Sequence, residues 1–171
     1  MRRIIVMGGI LLVLTVIQAS PVYDSIRNAI AIKPDIVLIV IVFLGFTFGS
    51  FEGIIYGFIA GFTQDIISSG VLGLNALVYL NIGFLAGLFY RKIDKSVLST
   101  VLFVFTATAA KSILYFIVNS FTYDPAITLA FAKKQILFEI PFNTVLSPVV
   151  FLILDRLSGL LELIRGGPRQ V

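Results

Sequence analysis

Four polar residues interrupt apolar stretches of the sequence at positions where their side chains can meet: Asp65, Lys111, Glu139 and Asn143. If these stretches cross a membrane, a lone charge there costs about 2.5–3.5 kcal/mol, so we expect Asp65 or Glu139 to pair with Lys111. Glu139 and Asn143 are four residues apart and therefore share one helix face. This polar cluster is either a structural ion pair or a binding site for a ligand or partner, and the sequence leaves both interpretations open.

The residue types that are absent restrict the chemistry further. The chain has no Cys, no His and no Trp, which excludes thiol nucleophiles, imidazole acid–base catalysis and metal sites built from thiolate or imidazole. The net charge of +4 comes from basic residues at the ends of apolar stretches rather than from a basic stripe, so nucleic-acid binding is not expected. We predict a non-catalytic protein without a cofactor or a metal ion.

The elements that must position these side chains are membrane-spanning helices. Of 171 residues, 58% are hydrophobic and 13% are charged, whereas soluble domains are roughly 45–50% apolar and about 25% charged. We predict an all-α, polytopic bundle of about six transmembrane helices that forms a single domain over residues 1–171. The spans are predicted at 4–19, 36–48, 52–67, 72–90, 97–119 and 136–157.

The first span resembles a signal peptide, since two arginines precede an apolar stretch that ends in Gln18-Ala19-Ser20. The apolar stretch is longer than a typical signal-peptide core and Pro21 follows it directly, so we expect a retained anchor. Basic residues orient the bundle with both termini in the cytoplasm. This orientation places seven on the inside (Arg2, Arg3, Arg91, Lys92, Lys95, Arg165 and Arg169) and four outside (Arg27, Lys33, Lys133 and Lys134).

Small residues line one face of the third and fourth spans. Gly53, Gly57 and Gly61 recur at every fourth position of the third, and Gly83 and Gly87 repeat the pattern in the fourth, with Asn75 on roughly the same row. In lipid such a face lets another helix backbone approach closely. Packing of the two spans against each other is the simpler interpretation, and docking of a partner's helix is the alternative. In the sixth span, Pro141 and Pro148 predict kinks.

The order of these motifs resembles the MreD family of rod shape-determining proteins. The resemblance rests on Lys33-Pro34-Asp35, Glu52-Gly53, the glycines that lead to Gln64-Asp65, the run Leu72–Leu77 and the run Gly83–Gly87, and it covers about residues 33–90. The positions that match are Pro34, Asp35, Glu52, Gly53, Gly57, Gly61, Asp65, Gly73, Asn75, Gly83 and Gly87.

The resemblance implies a multi-pass protein of the bacterial inner membrane that supports cell-wall elongation and rod shape. Its implied partners are a single-span MreC-like protein, RodA with its penicillin-binding transpeptidase, the MreB cytoskeleton and membrane lipid. The implied fold is similar to the substrate-binding subunits of energy-coupling-factor transporters. The resemblance carries over no catalytic residues.

An alternative function is a small-molecule or lipid-binding subunit of a transporter. Ligand pockets in membrane bundles lie between helices and contain a few convergent polar groups. Tyr79, Tyr115, Asn75 and Asn143 are the residues that could line such a pocket.

Overall fold

The computed structural model describes residues 2–20, 34–68, 71–90, 96–122 and 124–163, and these residues are helical without any strand. The elements are α1 Arg2–Ala19, α2 Ile36–Phe48, α3 Ser50–Ile67, α4 Leu74–Leu88, α5 Val97–Thr122, α6 Pro125–Lys134, a π-helical turn Gln135–Glu139 and α7 Ile140–Leu163. Helices therefore lie at each of the six predicted spans. The number of membrane crossings stays a prediction.

Helix α2 is the central element of the bundle. Every residue from Val37 to Thr47 is buried, because the helix is apolar on all sides and packs against α1, α3, α4, α5 and α7. Its 13 residues span about 20 Å, which is shorter than the hydrocarbon core of roughly 30 Å. If α2 crosses the membrane as predicted, at least one of its ends lies below the membrane surface.

Helices α3 and α4 approach each other more closely than side chains would allow. A Cβ atom built on Gly53 would overlap the backbone carbonyl of Gly83, and one built on Gly57 would overlap the carbonyl of Tyr79. The same holds for Gly61 against Asn75 and for Gly87 against Ser50. The glycine face that the sequence offered for packing or for a partner is therefore occupied by the chain's own helices.

The outside of the bundle is apolar. Helix α5 over Val97–Phe121 and the run Thr128–Leu160 are long and apolar enough to cross a membrane, whereas α1, α2 and α4 are apolar but shorter. Large hydrophobic side chains are exposed on every described helix except α2, including Phe51 at 72% and Val145 at 75%. Such a surface is suited to lipid rather than to water.

Candidate functional site

Lys111 is the only cation among the buried side chains that the structure describes, and its two partners are carboxylates. Its ammonium group forms ion pairs with Asp35 and, at 2.8 Å, with Glu139 Oε1. The rings of Tyr79 and Tyr115 lie 5.8 Å and 5.6 Å from Lys111 Nζ, within the range of cation–π attraction. The side chains of Lys111, Asp35 and Glu139 are 7%, 1% and 4% exposed, so water screens these pairs very little.

Asp35 joins this ion pair to the first turn of α2. Its Oδ1 atom accepts hydrogen bonds from the Leu38 N–H and from Gln18 Nε2, both at 3.0 Å. Its Oδ2 atom accepts from the Tyr79 hydroxyl at 2.8 Å as well as from Lys111. Asp35 is thus the N-cap of α2, and its negative charge also faces the positive end of the helix dipole.

Two amide side chains complete the cap. Asn143 Oδ1 accepts a hydrogen bond from the Asp35 N–H at 2.8 Å, and Gln18 Oε1 accepts one from the Val37 N–H at 3.3 Å. The first N–H groups of a helix have no partner within the helix, and leaving them unpaired in an apolar interior is costly. We call Gln18, Asp35, Tyr79, Lys111, Glu139 and Asn143 the Lys111 site, which links α1, α2, α4, α5 and α7 at one level.

Glu139 is the last residue of the π-helical turn, and this turn positions its side chain. Pro141 follows two residues later and has no N–H to donate to the preceding turn, so the regular hydrogen-bond ladder is interrupted there. Asn143 lies one turn further along the same face, and its Nδ2 atom is 3.5 Å from Thr108 Oγ1. The predicted proximity of Lys111, Glu139 and Asn143 is therefore present in the structure.

Asp65 belongs to a different set of contacts, so of the two partners expected for Lys111 it is Glu139 that forms the ion pair. Asp65 Oδ1 accepts from the Asn75 N–H at 3.1 Å and from Asn75 Nδ2 at 2.8 Å, and Oδ2 accepts from the Ala76 N–H at 3.0 Å. Three donors at the start of α4 thus satisfy the carboxylate. The Tyr115 hydroxyl donates to Asn75 Oδ1, which places this set next to the Lys111 site.

The Lys111 site and the contacts of Asp65 lie at one level of the bundle, where α1 and α3 end and α2 and α4 begin. Gln18 and Asp65 are near the ends of α1 and α3, and Asp35 and Asn75 are at the starts of α2 and α4. Helix α5 instead continues from Lys111 to Thr122, about 16 Å further. Following the predicted orientation, we call this the outer end of the bundle.

The charged groups of the Lys111 site bind one another, and they line neither of the two clefts beside α5. The two clefts that lie beside α5 are largely apolar. One of about 490 Å³ separates α4 from α5, and another of about 260 Å³ separates α5 from α7. Tyr79, Tyr115, Asn75 and Asn143, which could line a ligand pocket, line neither cleft and are hydrogen-bonded within the two polar sets. Among the described residues, no group of three or more His, Cys, Asp or Glu side chains is placed to hold a metal ion.

The sequence did not identify three members of the Lys111 site. Asp35 was identified only as part of the Lys33-Pro34-Asp35 motif, and Gln18 and Tyr79 were not connected to Lys111. A signal for Asp35 was present, because the apolar run that follows it is too short to cross a membrane, which makes the residue at either end of that run a candidate for a buried position.

An apolar outer surface around a central buried helix, with the buried charges of the described residues ion-paired or hydrogen-bonded inside the bundle, is that of a helical membrane protein. The family model described as rod shape-determining protein MreD matches residues 1–157. The chain therefore belongs to the MreD family, and its role is in rod shape determination. Searches of curated proteins and of solved structures found no match, so the similarity to energy-coupling-factor subunits stays a prediction.

Proposed function

We propose that this protein is a non-catalytic, multi-pass scaffold of the cell-wall elongation complex in the bacterial inner membrane. It binds an MreC-like single-span partner and acts beside RodA, its penicillin-binding transpeptidase and MreB. The observation that carries the proposal is the self-paired Lys111 site, in which charged groups fix five helices relative to one another. A rigid bundle with apolar lateral clefts offers surfaces on which another membrane helix can pack.

Co-purification tests this proposal directly. The full chain is co-expressed with the MreC-like protein of the same organism and purified in a mild detergent through a tag on the chain. We expect the partner to co-elute, while an unrelated single-span protein expressed at the same level does not. Absence of the partner from the eluate under conditions that retain folded protein would contradict the scaffold.

The orientation gives a second prediction. Because the basic residues favour the cytoplasmic side, reporter fusions at both termini should be active only in the cytoplasm. A cysteine introduced at exposed Ala126, between α5 and the π-helical turn, should react with an impermeant thiol reagent added to intact spheroplasts. The natural chain contains no cysteine, so the labelling is specific. Termini on opposite sides would refute the even number of crossings.

The transporter-subunit alternative requires a bound small molecule. It predicts that native mass spectrometry of the purified protein detects a vitamin-sized ligand. The pairing of the polar groups at the Lys111 site favours the scaffold, because a pocket needs polar groups that are available to the ligand.

A further inference from the structure

The cleft of about 260 Å³ between α5 and α7 differs from the larger one in having a charged residue in its lining. Val97 and Thr100 form its wall on α5, Phe151 and Leu152 form its wall on α7, and Phe43 of α2 closes the bottom. These residues belong to the half of the bundle opposite the Lys111 site, since α5 begins at Val97. In the predicted orientation the cleft therefore opens sideways in the cytoplasmic half of the membrane.

Pro148 lies at the gap between the two helices. It lies inside α7 and lines the cleft, and it has no N–H to donate to the Thr144 carbonyl one turn earlier. The Ser147 hydroxyl donates to that carbonyl instead, at 2.8 Å. The interrupted ladder is thus stabilised locally, so no neighbouring helix has to close over it.

Asp155 also lines the cleft and is exposed. Within the part of the chain that the structure describes, the ion pairs are those of Lys111, and the Asp155 carboxylate has none. Arg156 is exposed as well, but successive helix residues point about 100° apart. A carboxylate without an ion pair among the described residues, at the predicted inner end of a membrane helix, repels anionic lipid headgroups and attracts a cation.

A transmembrane helix whose N-terminus is cytoplasmic complements this cleft, because it offers apolar side chains within the membrane and a cation at its cytoplasmic end. The positive-inside rule places Lys or Arg directly before such a span, and the span itself is apolar. We propose that the single-span partner packs its transmembrane helix against α5 and α7 here. An apolar side chain fills the cleft, and a juxtamembrane Lys or Arg pairs with Asp155. This inference rests on the proposed function and names its contact face.

The larger cleft between α4 and α5 does not distinguish a protein helix from a lipid chain. It is lined by apolar and hydroxyl-bearing residues such as Phe46, Leu85, Ser99 and Thr106, without a charged side chain. A lipid chain and a protein helix would fit it equally well.

Charge reversal and blocking of the cleft test the proposal in the co-purification assay. Asp155→Lys should reduce recovery of the partner about tenfold, and reversing the partner's juxtamembrane cation to Glu should restore it. Leu152→Trp should block the cleft and reduce recovery similarly. Val145→Trp is the matched control, because Val145 is 75% exposed on the same helix, so recovery should stay at the wild-type level. Equal thermal stability of all four proteins shows that each is folded.

The possible failures separate the two proposals. If wild-type protein retains the partner and Asp155→Lys and Leu152→Trp retain it equally, the contact face is wrong while the scaffold stands. If Leu152→Trp releases a phospholipid in native mass spectrometry but leaves partner recovery unchanged, the cleft is a lipid site and the inference is overturned. If wild-type protein does not retain the partner, the scaffold itself is contradicted.

Discussion

Replacing Lys111 with Met is expected to destabilise the protein by roughly 3–5 kcal/mol, the usual cost of removing one partner from a buried ion pair. The substitution keeps most of the side-chain volume but leaves the carboxylates of Asp35 and Glu139 buried without their cation. The free energy of unfolding would be measured by circular dichroism in mixed micelles with increasing denaturing detergent. Lys133→Met is the control, since Lys133 is exposed and its replacement should change stability by less than about 0.5 kcal/mol.

A double substitution identifies the cause of that loss. Glu139→Gln removes one of the two negative charges, so Lys111→Met with Glu139→Gln should be less destabilised than the sum of the single variants. A coupling energy of about 0.5–3 kcal/mol is typical of residues in one ion-pair network. Lys111→Met that is no more harmful than Lys133→Met, or strictly additive effects, would show that the buried ion pairs do not hold the bundle together.

The second large effect is expected where α3 and α4 touch through their backbones. Gly53→Ala and Gly83→Ala each place a methyl group on the opposite helix's backbone, which cannot move aside as a flexible side chain can. We expect a loss of about 3 kcal/mol, at the upper end of the usual cost of overpacking. Thermal unfolding in detergent is the measurement, with helix content monitored by circular dichroism.

Two other glycines in the chain provide matched controls for this experiment. A Cβ atom built on Gly9 of α1 or on Gly159 of α7 meets nothing within 4 Å. Because Ala is the better helix former by about 1 kcal/mol, Gly9→Ala and Gly159→Ala should leave stability unchanged or raise it. If all four substitutions behave alike, helix propensity rather than close packing determines their effect.

These two features stabilise different parts of the molecule. Backbone contact through glycines joins α3 to α4, and the Asp65 carboxylate adds hydrogen bonds to the start of α4 at the outer end of this contact. The Lys111 site joins the outer ends of the first, second and fourth helices to α5 and α7. Helix α5 makes few contacts with α4, which leaves apolar clefts on both of its sides. A partner helix can therefore approach α5 without displacing either contact.

Hydropathy predicted the helices well because in lipid the backbone must bond to itself, so long apolar stretches form helices. The spacing of residues along the helices also predicted that Lys111, Glu139 and Asn143 lie close together, because spacing determines both the depth of a residue and the helix face on which it lies. The glycine face was predicted in the same way, and its use for internal packing could not be separated from partner docking by spacing alone.

The sequence could not predict which donors bind each carboxylate, because these contacts join different segments of the chain. Asp65 lies at a depth suited to Lys111, but the left-handed Gly73, with a φ of 89°, precedes α4 and allows its first N–H groups to reach Asp65. Asp35 rather than Asp65 pairs with Lys111, because the short helix α2 has its N-terminus inside the bundle. The π-helical turn before Pro141 has no sequence signature of its own, although it positions Glu139.

We propose that the bundle binds the transmembrane helix of a single-span protein within the membrane. The most direct measurement is co-purification of the full chain with a partner truncated to its cytoplasmic N-terminus and transmembrane helix. We expect this truncated partner to co-elute with the wild-type chain and Asp155→Lys to release it. Recovery of the intact partner but not of its truncated form would place the contact outside the membrane and contradict binding between transmembrane helices.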